Sequence, residues 1–440
     1  MIPSARLSAA IEALGDIAAR RRPAAEALRD WGLAHRFAGS KDRAAVASLV
    51  YDALRRKASA AWIMGFERAE EASPRAVLLG ALRLARGLGA EAIAALCDGS
   101  RFAPAPLSED ERARIEAGDK ALATAPTHIG ADFPEWLAAS LEGEFGGELV
   151  AEMRALATRA PLDLRVNTLR GTRQEALAAL SHLHPEPTPH SPLGLRLLHG
   201  EDGRGPSVQS EPAFLEGLVE IQDEGSQLVA LLAGAKPGDM VIDLCAGGGG
   251  KTLALAALMG NQGRIIATDD DQRRLARIHP RLQRCGATNV EVRTPRGRNE
   301  PLAGLEGQAD LVLVDAPCTG IGAWRRNPDA KWRVRPGSLS QRLKEQDEVL
   351  DRAARFAKPQ GRIAYITCSL LPEENEGRVQ AFLDRHAGWL VIPPATVVAC
   401  GPPQLVALAS YRSRGGAGLL FTPARTGTDG FFLVVLEAIG

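Results

Sequence analysis

The sequence predicts an α/β fold whose C-terminal part is a doubly wound parallel sheet. From Lys236 onward, short apolar segments alternate with helical ones along the 440-residue chain, which is typical of parallel strands joined by crossover helices. A glycine-rich turn at 243–252 follows the first strand, and Cys318 and Cys368 follow two later strands. Ligands of such sheets bind at the carboxyl ends of the strands, so these features are predicted to form one site.

Hydrophobic periodicity predicts each element of this sheet. Apolar runs bounded by turn residues predict strands, and longer segments with apolar residues three or four apart predict helices. The predicted strands are Met240–Leu244, Arg264–Thr268, Val290–Arg293, Leu311–Val314, Arg362–Thr367 and Phe431–Leu436. The predicted helices lie near 251–259, 271–285, 339–357 and 373–386.

Two smaller regions are predicted to precede the sheet domain, which we assign to residues 236–440. Residues 1–125 are alanine-rich with helical periodicity and predict an all-α domain. Residues 126–235 mix proline-containing segments with short strands and predict a small α+β subdomain. Its predicted strands lie at 162–167, 195–198 and 218–222, and its predicted helix at 172–180.

Only local basic patches of this chain could attract a polyanion, because the chain as a whole has no net charge. Lys plus Arg and Asp plus Glu both number 53, so the net charge is zero. Residues 1–60 contain 11 basic and 6 acidic residues, with Arg20-Arg21-Arg22 at their centre. The segment 319–336 contains 5 basic residues and one acid, interleaved with tryptophans. Each patch is either a site for a polyanion or an ordinary charged surface.

Cysteine spacing and the absence of apolar segments indicate the compartment. The cysteines are far apart and form no Cys-x-x-Cys pair, so we expect reduced thiols and no metal site. The N-terminus lacks an apolar signal segment, and no run of about 18 apolar residues occurs. We therefore expect a cytoplasmic protein without a membrane partner.

The turn Cys245-Ala246-Gly247-Gly248-Gly249-Gly250-Lys251-Thr252 indicates a nucleotide-like cofactor. It fails the phosphate-loop pattern because Cys245 replaces the first glycine, and it fails Gly-x-Gly-x-x-Gly because Thr252 replaces the last. Asp269, at the end of the next predicted strand, is placed to bind the hydroxyls of a ribose. NAD and S-adenosylmethionine both fit this pattern. Two strand-end thiols favour S-adenosylmethionine, whose electrophilic methyl group suits thiol-assisted group transfer.

Three motifs resemble those of the RNA cytosine-5 methyltransferases, above all the bacterial RsmB type that modifies 16S ribosomal RNA. They are Asp-x-Cys-Ala-x-x-Gly-Gly-Lys-Thr from Asp243, Asp-Ala-Pro-Cys-Thr-Gly from Asp315, and Thr-Cys-Ser from Thr367 with Pro-Glu-Glu-Asn after it. The likeness covers nearly the whole chain, including a helical front end similar to the RNA-binding NusB fold. It implies a Rossmann-like methyltransferase sheet, S-adenosylmethionine as the cofactor and RNA, most specifically 16S ribosomal RNA, as the partner. We expect the protein to be a monomer.

The resemblance and the chemistry of cytosine give the site residues their predicted roles. Carbon 5 of cytosine is a poor nucleophile and needs covalent activation at carbon 6, a step that the family match gives to Cys368. Asp315, expected to be buried at a strand end, is predicted to donate a proton or hydrogen bond to ring nitrogen 3. Cys318 is predicted to remove the carbon 5 proton as the base or to assist its removal. The residues predicted to bind the cofactor are Cys245, Ala246, Gly247, Gly248, Gly249, Gly250, Lys251, Asp269 and Asp315.

Two positions differ from the family pattern. Gly247-Gly248 replaces Ala-Pro in the turn, and Thr294-Pro295-Arg296 has no carboxylate where the family has a third cofactor-binding acid. Asp310 or a backbone amide is the candidate replacement. The missing acid leaves a catalytically weakened RNA-binding assembly factor as one alternative, and transfer RNA is the alternative substrate.

The base to be modified must leave its stack, so base flipping or a single-stranded loop is expected. Basic and aromatic side chains after Cys318 are predicted to contact this RNA by stacking and phosphate binding. The alternative is an ordered loop packed over the sheet edge. The residues concerned are Trp324, Arg325, Arg326, Lys331, Trp332 and Arg333.

Overall fold

The N-terminal region is helical and has a hydrophobic core of its own. The computed structural model describes residues 1–198, 200, 205–295 and 300–439. The helices are α1 (Pro3–Arg20), α2 (Ala24–Ala34), α3 (Ser40–Arg55), α4 (Lys57–Ile63), α5 (Pro74–Arg86), α6 (Ala90–Ala94) and α7 (Glu109–Ala123). Proline begins α1 and α5, where its missing amide loses no helical hydrogen bond. The predicted all-α character of this region is confirmed.

The next part of the chain contains helices and a small antiparallel sheet. The helices are α8 (Thr127–Gly130), α9 (Ala138–Phe145) and α10 (Leu149–Leu156). The sheet region contains β1 (Leu162–Val166), α11 (Arg173–Ala179), β2 (Glu186–Pro187), β3 (Gly194–Leu197), α12 (Pro212–Leu215) and β4 (Val219–Ile221). Its strands pair in the order β2-β3-β1-β4 and cover a separate small core. Helices α9 and α10 instead pack into the core of the larger sheet that follows.

The larger sheet contains all six strands predicted after Lys236, and two further short ones. Its region contains α13 (Glu224–Leu232), β5 (Met240–Asp243), α14 (Gly250–Leu258), β6 (Arg264–Ala267), α15 (Gln272–Leu275), α16 (Ile278–Cys285), β7 (Val290–Val292), β8 (Ala309–Asp315), α17 (Pro328–Arg333), α18 (Pro336–Phe356), β9 (Ala357–Thr367), α19 (Glu376–Arg385), β10 (Trp389–Ile392), α20 (Pro394–Ala399), β11 (Leu419–Phe421), α21 (Pro423–Thr426) and β12 (Phe431–Ala438). None of the helices in the described ranges combines the length and the apolar composition needed to cross a bilayer.

The strand order is β10-β12-β9-β8-β5-β6-β7, with β11 paired to β12. Strands β5 to β9 are parallel, as predicted, but β12 is antiparallel to β9, β10 and β11. The expectation of a wholly parallel sheet is therefore wrong at this edge. The chain between β11 and β12 is too short for a crossover, so these two strands pair antiparallel. The winding direction reverses between β5 and β8, which creates a crevice at their carboxyl ends.

The segment 319–336 packs between the large sheet and the N-terminal helices. Trp324, Arg325 and Lys331 are only 2%, 4% and 4% exposed. The indole Nε1 of Trp332 donates to the carbonyl of Leu54 (2.7 Å), and Nζ of Lys331 donates to that of Arg55 (3.1 Å). Predicted stacking and phosphate contacts by these side chains are therefore wrong, and the alternative of a packed loop is correct.

Two arginines of this segment are held by acids distant in the sequence. Arg325 and Arg326 both pair with Asp223 and Asp429. Arg333 pairs with Asp329 in its own helix (2.9 Å). The charges of Arg325 and Arg326 are thus neutralised within the protein, and the prediction that these two residues bind phosphate is wrong. Arg333 is exposed, so its phosphate contact stays a prediction.

The N-terminal basic patch is less basic than its composition indicates. Arg22 pairs with Asp16 and Asp30, and Arg20 also pairs with Asp16 (3.0 Å). Arg21 is exposed. Of this arginine triplet, Arg21 remains the clearest candidate for a phosphate contact.

Candidate active site

The carboxyl ends of β8 and β9 bring two cysteines into contact. The strands pair in parallel, with Asp315 opposite Ile366, so the loops that follow them leave the sheet side by side. The Sγ atoms of Cys318 and Cys368 lie 3.2 Å apart, and both side chains are partly buried. The two thiols therefore occupy one position at the edge of the sheet.

The surroundings of Cys318 favour its protonated form. The hydrogen bond to Cys368, burial and the negative charge of Glu374 raise the pKa of the Cys318 thiol well above its ordinary value. A thiol with such a pKa keeps its proton at neutral pH.

The glycine-rich turn joins β5 to α14 beside these thiols. Gly247 and Gly249 have φ angles of +54° and +84°, which L side chains rarely adopt. A Cβ atom at Gly249 would lie 2.4 Å from Cγ1 of Ile278, whereas one at Gly250 would meet nothing closer than 3.8 Å. Glycine is thus required at 249 by both backbone conformation and space.

Asp269, just beyond β6, fixes this turn. Its carboxylate accepts hydrogen bonds from the backbone amides of Gly247 and Asp271, each 2.8 Å long. The same carboxylate pairs with Arg274 at 3.0 Å. The acid predicted to bind a ribose is therefore also a structural tie between the ends of β5 and β6.

Asp315 pairs with Lys251 across the crevice. The Nζ atom of Lys251 lies 2.7 Å from Oδ2 of Asp315 and 5.1 Å from the centre of the Phe431 ring. The Asp315 side chain is 33% exposed, so the expectation that it is buried is wrong. Its partial exposure leaves it open to a ligand, and its ammonium partner was not apparent from the sequence.

A cavity of about 410 Å³ lies between the turn and α18. Leu244, Pro317 and Val349 supply apolar wall, while Cys245, Asp269 and Asp270 line the end of the sheet. Apolar walls with a few fixed polar groups are typical of cofactor sites. The remaining lining residues are Asp271, Arg274, Arg342, Glu345, Glu348 and Arg352.

The structure changes the candidates for the missing third acid. Thr294 and Pro295 offer no carboxylate, and Arg296 lies outside the described residues. Asp310 sits near the start of β8, where it accepts from the amide of Met240 (2.8 Å) and pairs with Lys358. Because this is the opposite end of the strand from the crevice, the suggestion that Asp310 replaces the acid is wrong.

Glu374 is the main site residue whose position the sequence did not reveal. It is completely buried and bonds to Thr319 and Ser369, the residues after Cys318 and Cys368. The sequence feature that could have identified Glu374 as a site residue is its position in Pro-Glu-Glu-Asn, shortly after Cys368. A fully buried acid is unusual unless it is paired.

The fold and site together define a class. A doubly wound sheet with one antiparallel strand beside β9, a glycine-rich turn after its first strand and an acid after its second is the arrangement expected of an S-adenosylmethionine-dependent methyltransferase.

Comparison with known protein families supports this class. The family model for 16S rRNA methyltransferase RsmB/F matches residues 230–437, and that for the ferredoxin-like domain of RsmF/B-like methyltransferases matches 133–202. The chain belongs to the RsmB/F family, whose members are S-adenosylmethionine-dependent methyltransferases.

Individual relatives extend the likeness. The chain is 35% identical over 264 residues to the probable ribosomal RNA small subunit methyltransferase B of Synechocystis, covering 58% of this chain and 57% of that protein. It is 33% identical over 305 residues to ribosomal RNA small subunit methyltransferase B of Enterobacter, covering 69% and 66%. The alignments thus span less than two thirds of these relatives. The crystal structure of PH0851 superimposes with a TM-score of 0.74 at 27% identity, over 99% of both chains.

Proposed function

We propose that this protein transfers a methyl group from S-adenosylmethionine to carbon 5 of a cytosine in 16S ribosomal RNA. The observation that carries the proposal is the 3.2 Å contact between the Cys318 and Cys368 thiols, beside the glycine-rich turn. Two thiols at one point suit a reaction that both forms and resolves a covalent adduct. The RNA is inferred from the family model and from the names of the relatives.

The first steps use Cys368 and Asp315. The Cys368 thiolate adds to carbon 6 of the ring, which forms a carbon–sulfur bond and moves electrons toward ring nitrogen 3. The Asp315 carboxylate, 2.7 Å from the ammonium group of Lys251, passes a proton from that group to nitrogen 3. S-adenosylmethionine, when bound, supplies the electrophilic methyl group that activated carbon 5 accepts.

Resolution of the adduct is the role proposed for Cys318. Once Cys368 is bonded to carbon 6, its sulfur is an uncharged thioether, and the interaction with Cys368 that chiefly raises the pKa of Cys318 becomes weaker. Cys318 can then release its proton to solvent and act as the base that removes the carbon 5 proton. The carbon 5–carbon 6 double bond re-forms, the carbon–sulfur bond breaks with its electrons returning to Cys368, and nitrogen 3 gives its proton back.

The residues around the crevice fit the proposed cofactor. The amino acid end of the cofactor would contact the backbone of Gly247–Gly250 and the side chain of Lys251. Its ribose hydroxyls would bind the carboxylate of Asp269. The apolar walls formed by Leu244, Pro317 and Val349 suit the adenine ring. Asp270, whose side chain is 93% exposed, is the proposed polar contact in place of the missing third acid.

Paired cysteine variants test the mechanism. The Cys318→Ala variant should accumulate a protein–RNA adduct that survives denaturing electrophoresis, because attack and methylation precede the step it blocks. The Cys368→Ala variant should form no adduct and transfer no tritium from labelled cofactor. Cys400, which is exposed and outside the site, provides a matched control as Cys400→Ala. Substantial turnover by Cys368→Ala would contradict the proposal.

The substrate is tested by bisulfite mapping of ribosomal and transfer RNA from cells with and without the protein. Loss of a 5-methylcytosine from 16S ribosomal RNA alone is the expected result, and loss from transfer RNA supports the alternative substrate.

Calorimetric titration with S-adenosylmethionine distinguishes a methyltransferase, whichever RNA it modifies, from an assembly factor without catalytic activity. An absence of S-adenosylmethionine binding at millimolar concentration would favour the assembly factor.

A further inference from the structure

Glu374 is a buried carboxylate between the two cysteine loops. One of its oxygens accepts from the backbone amide of Thr319 (2.8 Å) and from Nε2 of Gln346 (3.0 Å). The other oxygen accepts from the hydroxyl groups of Thr319 and Ser369. All of these partners are donors, which is the set that an ionised carboxylate requires.

The donors lie on both sides of the thiol pair. Thr319 directly follows Cys318, and Ser369 directly follows Cys368. Gln346, on α18, also donates to the carbonyl of Pro317, the residue before Cys318 (2.8 Å). Glu374 therefore connects the immediate neighbours of both cysteines.

The backbone that carries Glu374 is itself fixed to β9. The hydroxyl of Tyr365 donates to the carbonyl of Glu374 (2.7 Å). Asn375 accepts from the hydroxyl of Thr367 (2.6 Å) and donates to the carbonyl of Ser369 (3.0 Å). Movement of Glu374 away from the thiols would break several buried hydrogen bonds, each costly to leave unmade.

We propose that Glu374 is a positioning residue, whose carboxylate holds the Cys318 loop against Cys368 in the geometry that adduct formation and resolution require. Its importance for turnover rests on the proposed function, whereas its hold on the thiols needs no substrate. The carboxylate also contributes, after the bond to Cys368 and burial, to the raised pKa of Cys318. The titratable groups that face Cys318 are Cys368, Glu374 and the hydroxyl of Tyr365.

Three variants separate charge, length and location. Glu374→Gln removes the charge at nearly the same shape, and Glu374→Asp keeps the charge on a shorter side chain. Glu373→Gln is the matched control, because Glu373 accepts from Ser140 instead of from the cysteine loops. Misplacement of reacting groups costs rate more than binding, so kcat should fall at least about tenfold in Glu374→Gln, with the RNA KM and cofactor Kd nearly unchanged. Glu374→Asp should recover part of the rate, and Glu373→Gln should behave as the unaltered protein.

Alkylation by iodoacetamide, followed at each cysteine by mass spectrometry, gives a readout that needs neither RNA nor cofactor. Loss of the Glu374 charge should lower the pH at which Cys318 begins to react, because an anionic neighbour disfavours the thiolate. Glu373→Gln should leave this pH profile unchanged. The profile remains informative if no methyl transfer is detected, so the two proposals can fail separately.

Unchanged kcat together with an unchanged Cys318 profile in Glu374→Gln would overturn the inference. A lower melting temperature without any change in that profile would show a purely structural role and would overturn it as well. If Glu374→Gln fails to fold, Thr319→Val replaces it, since valine keeps the backbone amide but removes one hydroxyl donor. In Thr319→Val the Cys318 loop is held less closely to the Glu374 carboxylate. The pH at which Cys318 begins to react should therefore fall, as in Glu374→Gln, but by less.

Discussion

Asp269 combines a structural and a proposed binding role in one side chain. It ties Gly247 to the end of β6 through a 2.8 Å hydrogen bond, and it is the proposed partner of the cofactor ribose. Removal of a hydrogen-bonded charge costs on the order of 1.5–3 kcal/mol, or roughly ten- to a hundredfold in affinity. We expect Asp269→Ala to weaken S-adenosylmethionine binding by this factor in calorimetric titration.

Arg274 provides the control for that measurement. It pairs with the same carboxylate, but its side chain is 53% exposed. Ion pairs of this kind contribute about 0–1 kcal/mol, so Arg274→Ala should change the cofactor Kd only a few-fold. Equal affinities for Asp269→Ala and the unaltered protein would count against the proposed cofactor position.

Single residues were predictable from the sequence where a motif holds them together. The ends of strands can be located from an apolar run that is followed by turn residues. The sequence therefore correctly placed several site residues at strand ends, namely Cys318, Cys368, Asp269 and the turn glycines. Partners that meet only in the fold were not predictable. One such contact is the ion pair between Lys251 and Asp315, and another is the hydrogen bond from Thr319 to Glu374. Each joins residues that are far apart in the sequence.

At the scale of elements, the glycine-rich turn makes a sharp prediction about stability. Gly249 has a φ of +84°, and an added Cβ would lie 2.4 Å from Ile278. The left-handed conformation alone costs an L residue about 1–2 kcal/mol. We therefore expect Gly249→Ala to lower the free energy of unfolding by at least this amount, as measured by urea denaturation.

The neighbouring glycine tests whether that cost is specific. Gly250 begins α14 with no positive φ, and a built Cβ makes only an ordinary contact there, 3.8 Å to Nε2 of Gln222. Gly250→Ala should change the free energy of unfolding by less than about 0.5 kcal/mol. A similar loss in both variants would mean that the turn tolerates no side chain for reasons other than backbone strain.

The segment after Cys318 shows how an element can be misread. Arginines and tryptophans interleaved in a loop are typical of a nucleic-acid surface, and the local composition cannot distinguish that surface from a packed interface. The acids that neutralise Arg325 and Arg326 are Asp223 and Asp429, each about a hundred residues away. The correct reading depended on contacts that no local pattern contains.

At the scale of the whole molecule, this segment joins the helical region to the sheet. Trp332 and Lys331 bond to the C-terminal end of α3, and Ser59 bonds to the buried carboxylate of Asp132. The small sheet likewise contacts the large-sheet region, since the side chain of Gln227 on α13 donates to the carbonyl of Leu164 on β1 (3.2 Å). Element types were therefore predictable from periodicity, while the surfaces that join them were not.

A buried lysine in this junction should make stability depend on pH. Burial lowers the pKa of Lys331 from 10.5 to about 8. Between these values the unfolded chain binds a proton that the folded chain has lost, so the free energy of unfolding rises with pH through this window. Below about pH 8 both states are protonated, and this residue contributes no further pH dependence.

Replacement of Lys331 by methionine should remove that dependence. One proton per molecule corresponds to a slope of at most about 1.4 kcal/mol per pH unit. Urea denaturation at several pH values from 8 to 10.5 should therefore show a shallower rise for Lys331→Met than for the unaltered protein. Lys344→Met, at an exposed position on α18, controls for the loss of a lysine as such and should keep the full slope. Parallel curves for all three proteins would mean that Lys331 stays charged in the junction, and that Asp132 and the tryptophan rings compensate its burial.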